Sequence, residues 1–355
     1  FIPLPTFVRE ITPKYKKDGS LSVVGLRFAG EQWGNYIQTF SRIDYPEFNL
    51  GSRQQIGRYL QYFGWKPTKF TEKGQAIVDE AVLSTVTDIP EASMIAEYLM
   101  LQKRVGLLDS WIDSVKDDER VHGRVITNGA VTGRMTHQKP NMGQIPSVNS
   151  EYGSDCRKLW TVDDGNVLVG TDLSGIELRC LAHYMQDDDW TQELLNGDIH
   201  QKNADAAGIT RPQAKTLIYA TLYGAGPSKI GSIVEGGARE GQEILSRFYS
   251  NTPALSRLME KVKKVAAKGY VPGLDGRRIL VRSEHAALNS LLQGCGAIIA
   301  KQWCIEAHQK FKRQRLPVRQ VAFVHDEIQI ETKEEYGKQV ASIMVDSART
   351  AGLTL

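Results

Sequence analysis

Four residues of the segment RPQAKTLIYATLYGAG, namely Arg211, Lys215, Tyr219 and Tyr223, recur at intervals of four. Steps of four advance about 400° around a helix, so a helix over 211–223 carries them as one slowly drifting stripe. Two cations lead and two phenol rings follow. The cations fall in the first turns, where free backbone N–H groups and the helix dipole favour an anion. A phosphate-rich group at this end, with a planar base against the rings, is the order of a nucleoside triphosphate. A solvated Arg/Lys face above two core tyrosines has the same spacing, and the stripe alone leaves both readings open.

Carboxylates form the second constellation. Asp172 ends the apolar run NVLVGTD at 166–172, and QVAFVHDEIQIE at 320–331 alternates on both sides of His325 and Asp326. A strand ending at Asp172 beside a hairpin tipped by Asp326 and Glu327 would bring the acids to one end of a sheet. Such a pair can hold two Mg²⁺ about 3.5–4 Å apart, activating an attacking oxygen and stabilising a leaving one. Taken singly, a strand-end Asp also serves as a turn or cap, and a DE pair at a hairpin tip as a solvated turn. On 284–312, His285, Asn289 and Gln293 again step by four, opposite an apolar stripe of Leu288, Leu291, Leu292, Ile298, Ile299 and Trp303. That line suits the acceptors of a DNA minor groove, and equally an ordinary polar helix face. The basic clusters Lys261, Lys263, Lys264, Lys268 and Lys310, Lys312, Arg313, Arg315 read first as solvated faces.

The elements that must position these residues follow from local pattern. Residues 1–50 are irregular, with Pro3, Pro5, Pro13, a KYKKDGS turn and a weak strand at SVVGLRF. Ser52 caps a helix with Ile56, Tyr59, Leu60 and Phe63 on one face, ended by Gly64. Two helices are expected next, Pro90–Val105 and one carrying Leu108, Trp111, Ile112 and Val115. Short strands and turns at 123–135 precede the 166–172 strand. Helices are then expected from Ile176 and over 189–195, 199–207, 211–223, 238–250 and 253–268, the last with Thr252 as cap and Pro253 first. VPGLDGRRILV at 271–281 holds a DG hairpin turn.

At 355 residues with 41% hydrophobic and 24% charged residues, the chain can build a sizeable core, which excludes collagen-like, disordered and disulfide-scaffold classes. No apolar run approaches the ~20 residues of a membrane span. Cys156, Cys180, Cys295 and Cys304 show no CxxC pair, which argues against structural zinc and for reduced thiols in the cytoplasm. A net charge of +3 is too small to announce nucleic acid. The chain opens FIPLPTFVRE without an initiator Met and stops at AGLTL straight after a helical stretch, as a piece of a longer protein would.

DLSGIELRCLAH at 172–183, RPQAKTLIYATLYGAG at 211–226 and VHDEI at 324–328 resemble, in order, the three polymerase motifs of family A DNA polymerases. TGRMTHQKPNMGQIP at 132–146 resembles the family's TGR-to-PN-to-IP segment. GDIHQKNA at 197–204 and HAALNSLLQGCGA at 285–297 resemble the lineage of short-tailed enterobacterial phages more than the bacterial branch. The likeness spans about 50–355.

The resemblance implies an α+β right-hand polymerase: a partial helical thumb at 1–112, palm at 113–187 and 288–355, and fingers at 188–287. It implies two Mg²⁺, with Mn²⁺ as a substitute, on Asp172, Asp326 and the Leu173 carbonyl, with Glu327 a weaker third acid near the primer end. Arg211, Lys215 and His200 would take the triphosphate, Lys215 also protonating the leaving pyrophosphate. Tyr219 and Tyr223 would pack beside the incoming nucleotide and template base, and Glu177 would block a ribose 2′-OH. Arg134, Gln144, His285, Asn289, Gln293 and His325 would line the primer-template. The implied partners are primer-template DNA, dNTPs and, in the phage lineage, a thioredoxin-like processivity factor on the thumb; the setting would be the host cytoplasm. No Asp-x-Glu exonuclease motif opens the chain, so proofreading is not expected of it, and the family's extreme C-terminus is missing beyond Leu355. A single-subunit RNA polymerase shares the palm and the cation-to-tyrosine helix, but Glu177 speaks against it. A silent nucleic-acid-binding relative is opposed by Asp172, Asp326, Lys215 and Arg211.

Overall fold

The computed structural model describes residues 7–11, 15–20, 40–44, 47–71 and 73–354. It divides into two compact units, 1–112 and 113–355. The expected strand at SVVGLRF lies outside the described residues. What the sequence missed in this region is an antiparallel pair, β1 (Phe7–Ile11) with β2 (Phe40–Asp44). The KYKKDGS turn is present: Gly19 adopts φ +81° and its N–H donates to the Lys16 carbonyl.

Helix α1 (Arg53–Tyr62) starts at Ser52, whose hydroxyl accepts from the Gln55 N–H at 3.4 Å, and stops before Gly64. It packs Ile56, Tyr59 and Leu60 against Val78, Leu83 of the short α2 (Glu80–Leu83), and Ile89, Ala92 and Ile95. The last two lie on α3, which runs unbroken from Glu91 to Ile112 where two helices were expected. Its weakest helix former is Gly106, whose cost of about 1 kcal/mol relative to Ala is too small to break 22 residues of continuous hydrogen bonding.

In the second unit, β3 (Arg124–Ile126) and β4 (Thr136–Gln138) pair as a short hairpin. A small helix α4 (Gly153–Lys158) leads to β5 (Asn166–Asp172). Six helices follow: α5 (Ile176–Met185), α6 (Asp188–Asn196), α7 (Ile199–Ala207), α8 (Arg211–Leu222), the unexpected five-residue α9 (Pro227–Gly231), and α10 (Ala238–Asn251). Then come α11 (Pro253–Ala266) behind Thr252, the β6 (Tyr270–Pro272) and β7 (Arg278–Leu280) hairpin turning at Asp275–Gly276, α12 (Ala287–Arg313), β8 (Val318–Val324), β9 (Glu327–Lys333) and α13 (Gly337–Thr354).

Helix α12 joins two cores. Its first half buries Leu288, Leu291, Leu292 and Cys295 against α5, α8, α10 and α11. Its second half buries Trp303, Ala307 and Phe311 against Phe323, Ile328, Ile330 and the α13 residues Val340 and Met344, with Trp303 Nε1 donating to the Met344 carbonyl at 2.8 Å. Gly294 lies where a Cβ would strike Ile279, so the β6–β7 hairpin can rest on the helix.

The second core backs an all-antiparallel sheet of order β5-β9-β8. At its far end the side chain of Glu331 is 1% exposed and paired with Arg120. Both carboxylate oxygens take a guanidinium N–H at 3.0 Å, while Asn166 Nδ2 at 2.8 Å and the Asp163 N–H at 3.3 Å supply the rest of its donors. These contacts hold Glu331 at about 2, far below its ordinary 4.5, with the Arg120 hydrogen bond the largest cause. No helix among the described residues is long and apolar enough to cross a membrane.

Candidate active site

Asp172 is the last residue of β5 and pairs with Glu327, the first of β9. Two residues, His325 and Asp326, turn β8 into β9, and the Leu173 N–H donates to the Asp326 carbonyl at 3.1 Å. The hairpin thereby carries its acids to the end of β5, as the alternation predicted. Partial burial, and then the charges of Asp326 and Glu327, push the Asp172 carboxyl above its ordinary value. Crowded like charges of hard oxygen donors fit a divalent cation; the Leu173 carbonyl, next in the chain, accepts the Ile176 N–H at 3.2 Å. Glu327 is turned aside: its Oε1 accepts from Gln329 Nε2 at 2.8 Å. The candidate centre is therefore two carboxylates and a carbonyl, and among the described residues no group of three or more His, Cys, Asp or Glu side chains is set to hold a metal.

His325 occupies the turn with φ +60°, the left-handed conformation that closes the tight connection between β8 and β9. Gly143, in the 3₁₀ turn Met142–Gln144, sits near its ring, and Gln144, next in that turn, is exposed.

Glu177 lies in the first turn of α5, five residues past Asp172. Its side chain is 12% exposed and pinned from two sides, by Arg134 Nη2 at 2.9 Å and by the Tyr223 hydroxyl at 3.1 Å. Tyr223 is the cap of α8 rather than its last helical residue; its phenol is pushed up by burial, then by the Glu177 charge, and is countered by a hydrogen bond with Gln293 of α12. Arg134, Glu177, Tyr223 and Gln293 thus form one connected set. Gly224 follows with φ +76°, where a Cβ would strike the His285 carbonyl oxygen, and this close approach seats the end of α8 on the start of α12. His285 itself belongs to a 3₁₀ turn before α12, with Asn289 and Gln293 on the helix proper.

The stripe is present on α8, whose N-terminus is fixed by Thr210 and Gln213: the Thr210 N–H and hydroxyl each donate to Gln213 Oε1 at 2.9 Å. Arg211 and Lys215 are exposed, whereas Tyr219 is half-buried and its phenol is pushed up by burial and by the charges of Glu177 and Asp326. Tyr219 therefore lies within electrostatic reach of both Glu177 and Asp326. His200, on α7, feels Arg211 and Lys215; burial first, and then Arg211, push its imidazole below the ordinary value.

Local pattern had marked neither Lys301 nor Asp198. Lys301 Nζ, from α12, donates to the Gly133 carbonyl at 2.6 Å and to Asn128 Oδ1 at 3.3 Å, anchoring the loop that presents Arg134. Asp198 stands just before the helix expected over 199–207 and caps it. Of the basic clusters, Lys310 is tied to Thr350 at 3.4 Å and its neighbours complement the C-terminal dipole of α12, while the α11 lysines are exposed.

The sequence matches DNA polymerase family A over residues 29–353. The chain belongs to that family. Among curated family A relatives, the DNA-directed DNA polymerase of Escherichia phage T7 is 41% identical over 398 aligned positions, covering 98% of this chain and 56% of the relative. That of Enterobacteria phage T3 is 41% identical over 356, covering 88% and 51%. DNA polymerase I of Pseudomonas aeruginosa is 28% identical, covering 83% of this chain and 35% of its own length. The chain thus spans about half of the phage relatives. The POL domain of Pol1 from M. smegmatis, solved with DNA primer-template and dNTP, aligns at a TM-score of 0.77 and 24% identity, covering 86% of this chain and 58% of that one. The α+β polymerase fold of family A is therefore the fold of this chain.

Proposed function

We propose that this chain performs template-directed extension of a primer 3′-OH with dNTPs in phage DNA replication, within the host cytoplasm. The observation that carries the reading is the hydrogen bond from Tyr223, at the end of the cation-to-tyrosine stripe of α8, to Glu177 at 3.1 Å, which brings that stripe to the helix that follows Asp172. A nucleotide bound along that stripe, triphosphate toward Arg211, Lys215 and His200, has its sugar by Glu177 and its α-phosphate by Asp172 and Asp326. The 1–112 unit is read as partial thumb, 113–187 with 288–355 as palm, and 188–287 as fingers.

Mg²⁺ ions, or Mn²⁺ in their stead, held by Asp172, Asp326 and the Leu173 carbonyl would stabilise the attacking and leaving oxygens of an in-line displacement. The side chains divide the remaining work. Arg211 binds phosphate oxygens as a fork, Lys215 protonates the leaving pyrophosphate, and Tyr223 lies against the template base. Arg134, Gln144, His285, Asn289, Gln293 and His325 track the primer-template near its 3′ end, and Glu327, held by Gln329, stays a weaker third acid. A processivity factor on the thumb belongs to this reading through the phage relatives alone. Extension of a primed template with dNTPs and Mg²⁺, run beside NTPs, tests it; equal use of both sugars would favour an RNA polymerase.

Two expectations bear on the sugar. Glu177→Ala should raise ribonucleotide incorporation by at least about tenfold with a much smaller change for dNTPs, since a pinned carboxylate excludes and desolvates a 2′-OH. An unchanged rNTP/dNTP rate ratio would put the gate elsewhere.

A chain-terminating ddNTP lacks the 3′-OH and leaves an acceptor near the triphosphate unpaired, at a cost of roughly 1–3 kcal/mol, about ten- to a hundredfold in selectivity. The Tyr219 phenol stands one turn past Lys215 and supplies the missing donor. Wild type should therefore accept ddNTPs nearly as readily as dNTPs, and Tyr219→Phe should restore strong discrimination. Competitive ddNTP/dNTP ratios equal in both proteins would remove Tyr219 from the nucleotide pocket.

A further inference from the structure

We propose that Asp198 is a positioning residue for nucleotide binding, holding the Arg211 guanidinium by its Nε edge so that both Nη groups face the triphosphate. This rests on the reading of Arg211 as a triphosphate contact. One carboxylate joins two helix starts. Its Oδ1 accepts the backbone N–H groups of His200 and Gln201, both at 3.1 Å, at the head of α7. Its Oδ2 accepts Arg211 Nε, thirteen residues on at the head of α8, at 2.6 Å. The backbone of Asp198 is itself anchored, its N–H donating to Glu193 Oε1 at 2.9 Å.

The atom that Asp198 grips decides the reading. A carboxylate paired end-on with both Nη groups would occupy the edge that a phosphate needs. Held at Nε, the guanidinium keeps its terminal fork open, and among the described residues no protein group takes it. The second observation is His200, two residues along, whose ring Nδ1 is buried without a partner and whose imidazole is pushed down by burial and by Arg211. Asp198 thus orders two phosphate-seeking groups at once, by capping the helix that carries one and gripping the other. The pair is about half exposed, so its role lies in orientation rather than in stability.

Asn caps a helix about as well as Asp, so Asp198→Asn keeps α7 capped and removes only the charge and the acceptor toward Arg211. The dNTP KM should rise about tenfold, the size of one charged hydrogen bond, with kcat within about threefold. Arg211→Ala should raise KM at least as much, and Asp198→Asn should add less than about twofold in the Arg211→Ala background, because the two act as one unit. An unchanged KM in Asp198→Asn, or full additivity with Arg211→Ala, would overturn the proposal and leave Asp198 a helix cap. If Arg211→Ala itself leaves KM unaltered, the triphosphate reading falls first and this proposal falls with it.

Discussion

Asp172→Ala and Asp326→Ala should each reduce single-turnover primer extension by at least about a thousandfold while leaving duplex affinity nearly unchanged. The two acids stand at adjoining strand ends, linked through the Leu173 N–H and the Asp326 carbonyl. Glu327, whose charge also reaches Asp172, is engaged by Gln329. Affinity for DNA resides mainly in phosphate contacts elsewhere, so binding should survive. Folding should survive too. Asp172 is pushed up by burial and by the charges of Asp326 and Glu327, so neutralising it relieves repulsion, and Asp172→Ala should melt no lower than wild type. Extension and duplex binding measured in parallel decide the matter; a variant keeping a tenth of the wild-type rate would remove that Asp from the metal site.

Glu331→Ala should destabilise the second unit by about 3–5 kcal/mol, the usual result of removing one partner from a buried ion pair. It strands the Asn166 amide and the Asp163 N–H in a site where Glu331 is 1% exposed, and leaves Arg120 with Asp163 alone. The pH dependence has a definite sign. A carboxylate held at about 2 when folded and near 4.5 when unfolded contributes stability that is full above pH 4.5 and is lost as the pH falls toward 2. Wild type should lose stability across that window, and Glu331→Ala should show a shallower acid slope. Denaturant midpoints from pH 7 to pH 3 test both points; equal slopes in the two proteins would show that Glu331 titrates alike folded and unfolded.

The contrast between these sites shows what the sequence could reveal. Asp172 and Asp326 were legible because each marks an edge of a pattern, the end of an apolar strand and the centre of a hairpin alternation. Register then follows from period two. The α8 stripe was legible because steps of four are helical arithmetic. Glu331 was not, because it stands where the alternation of β9 breaks down, in a run of three buried residues, and its partner Arg120 is 211 residues away. Nothing local encodes that pairing. The Arg134–Glu177–Tyr223–Gln293 set lies between these cases: family resemblance marked each member, but their mutual hydrogen bonds depend on how α5, α8 and α12 pack. Asp198 lies one residue before the helix expected over 199–207, and only the fold brings Arg211 to its second carboxylate oxygen.

Template-directed synthesis by this chain is tested most directly by supplying one dNTP at a time, with Mg²⁺, to the wild-type chain on a primed template whose next base is known. Only the complementary dNTP should extend the primer by one nucleotide, at a rate that follows the template base when that base is changed. Addition of any dNTP regardless of the template, or no addition while the protein binds the duplex, would contradict it.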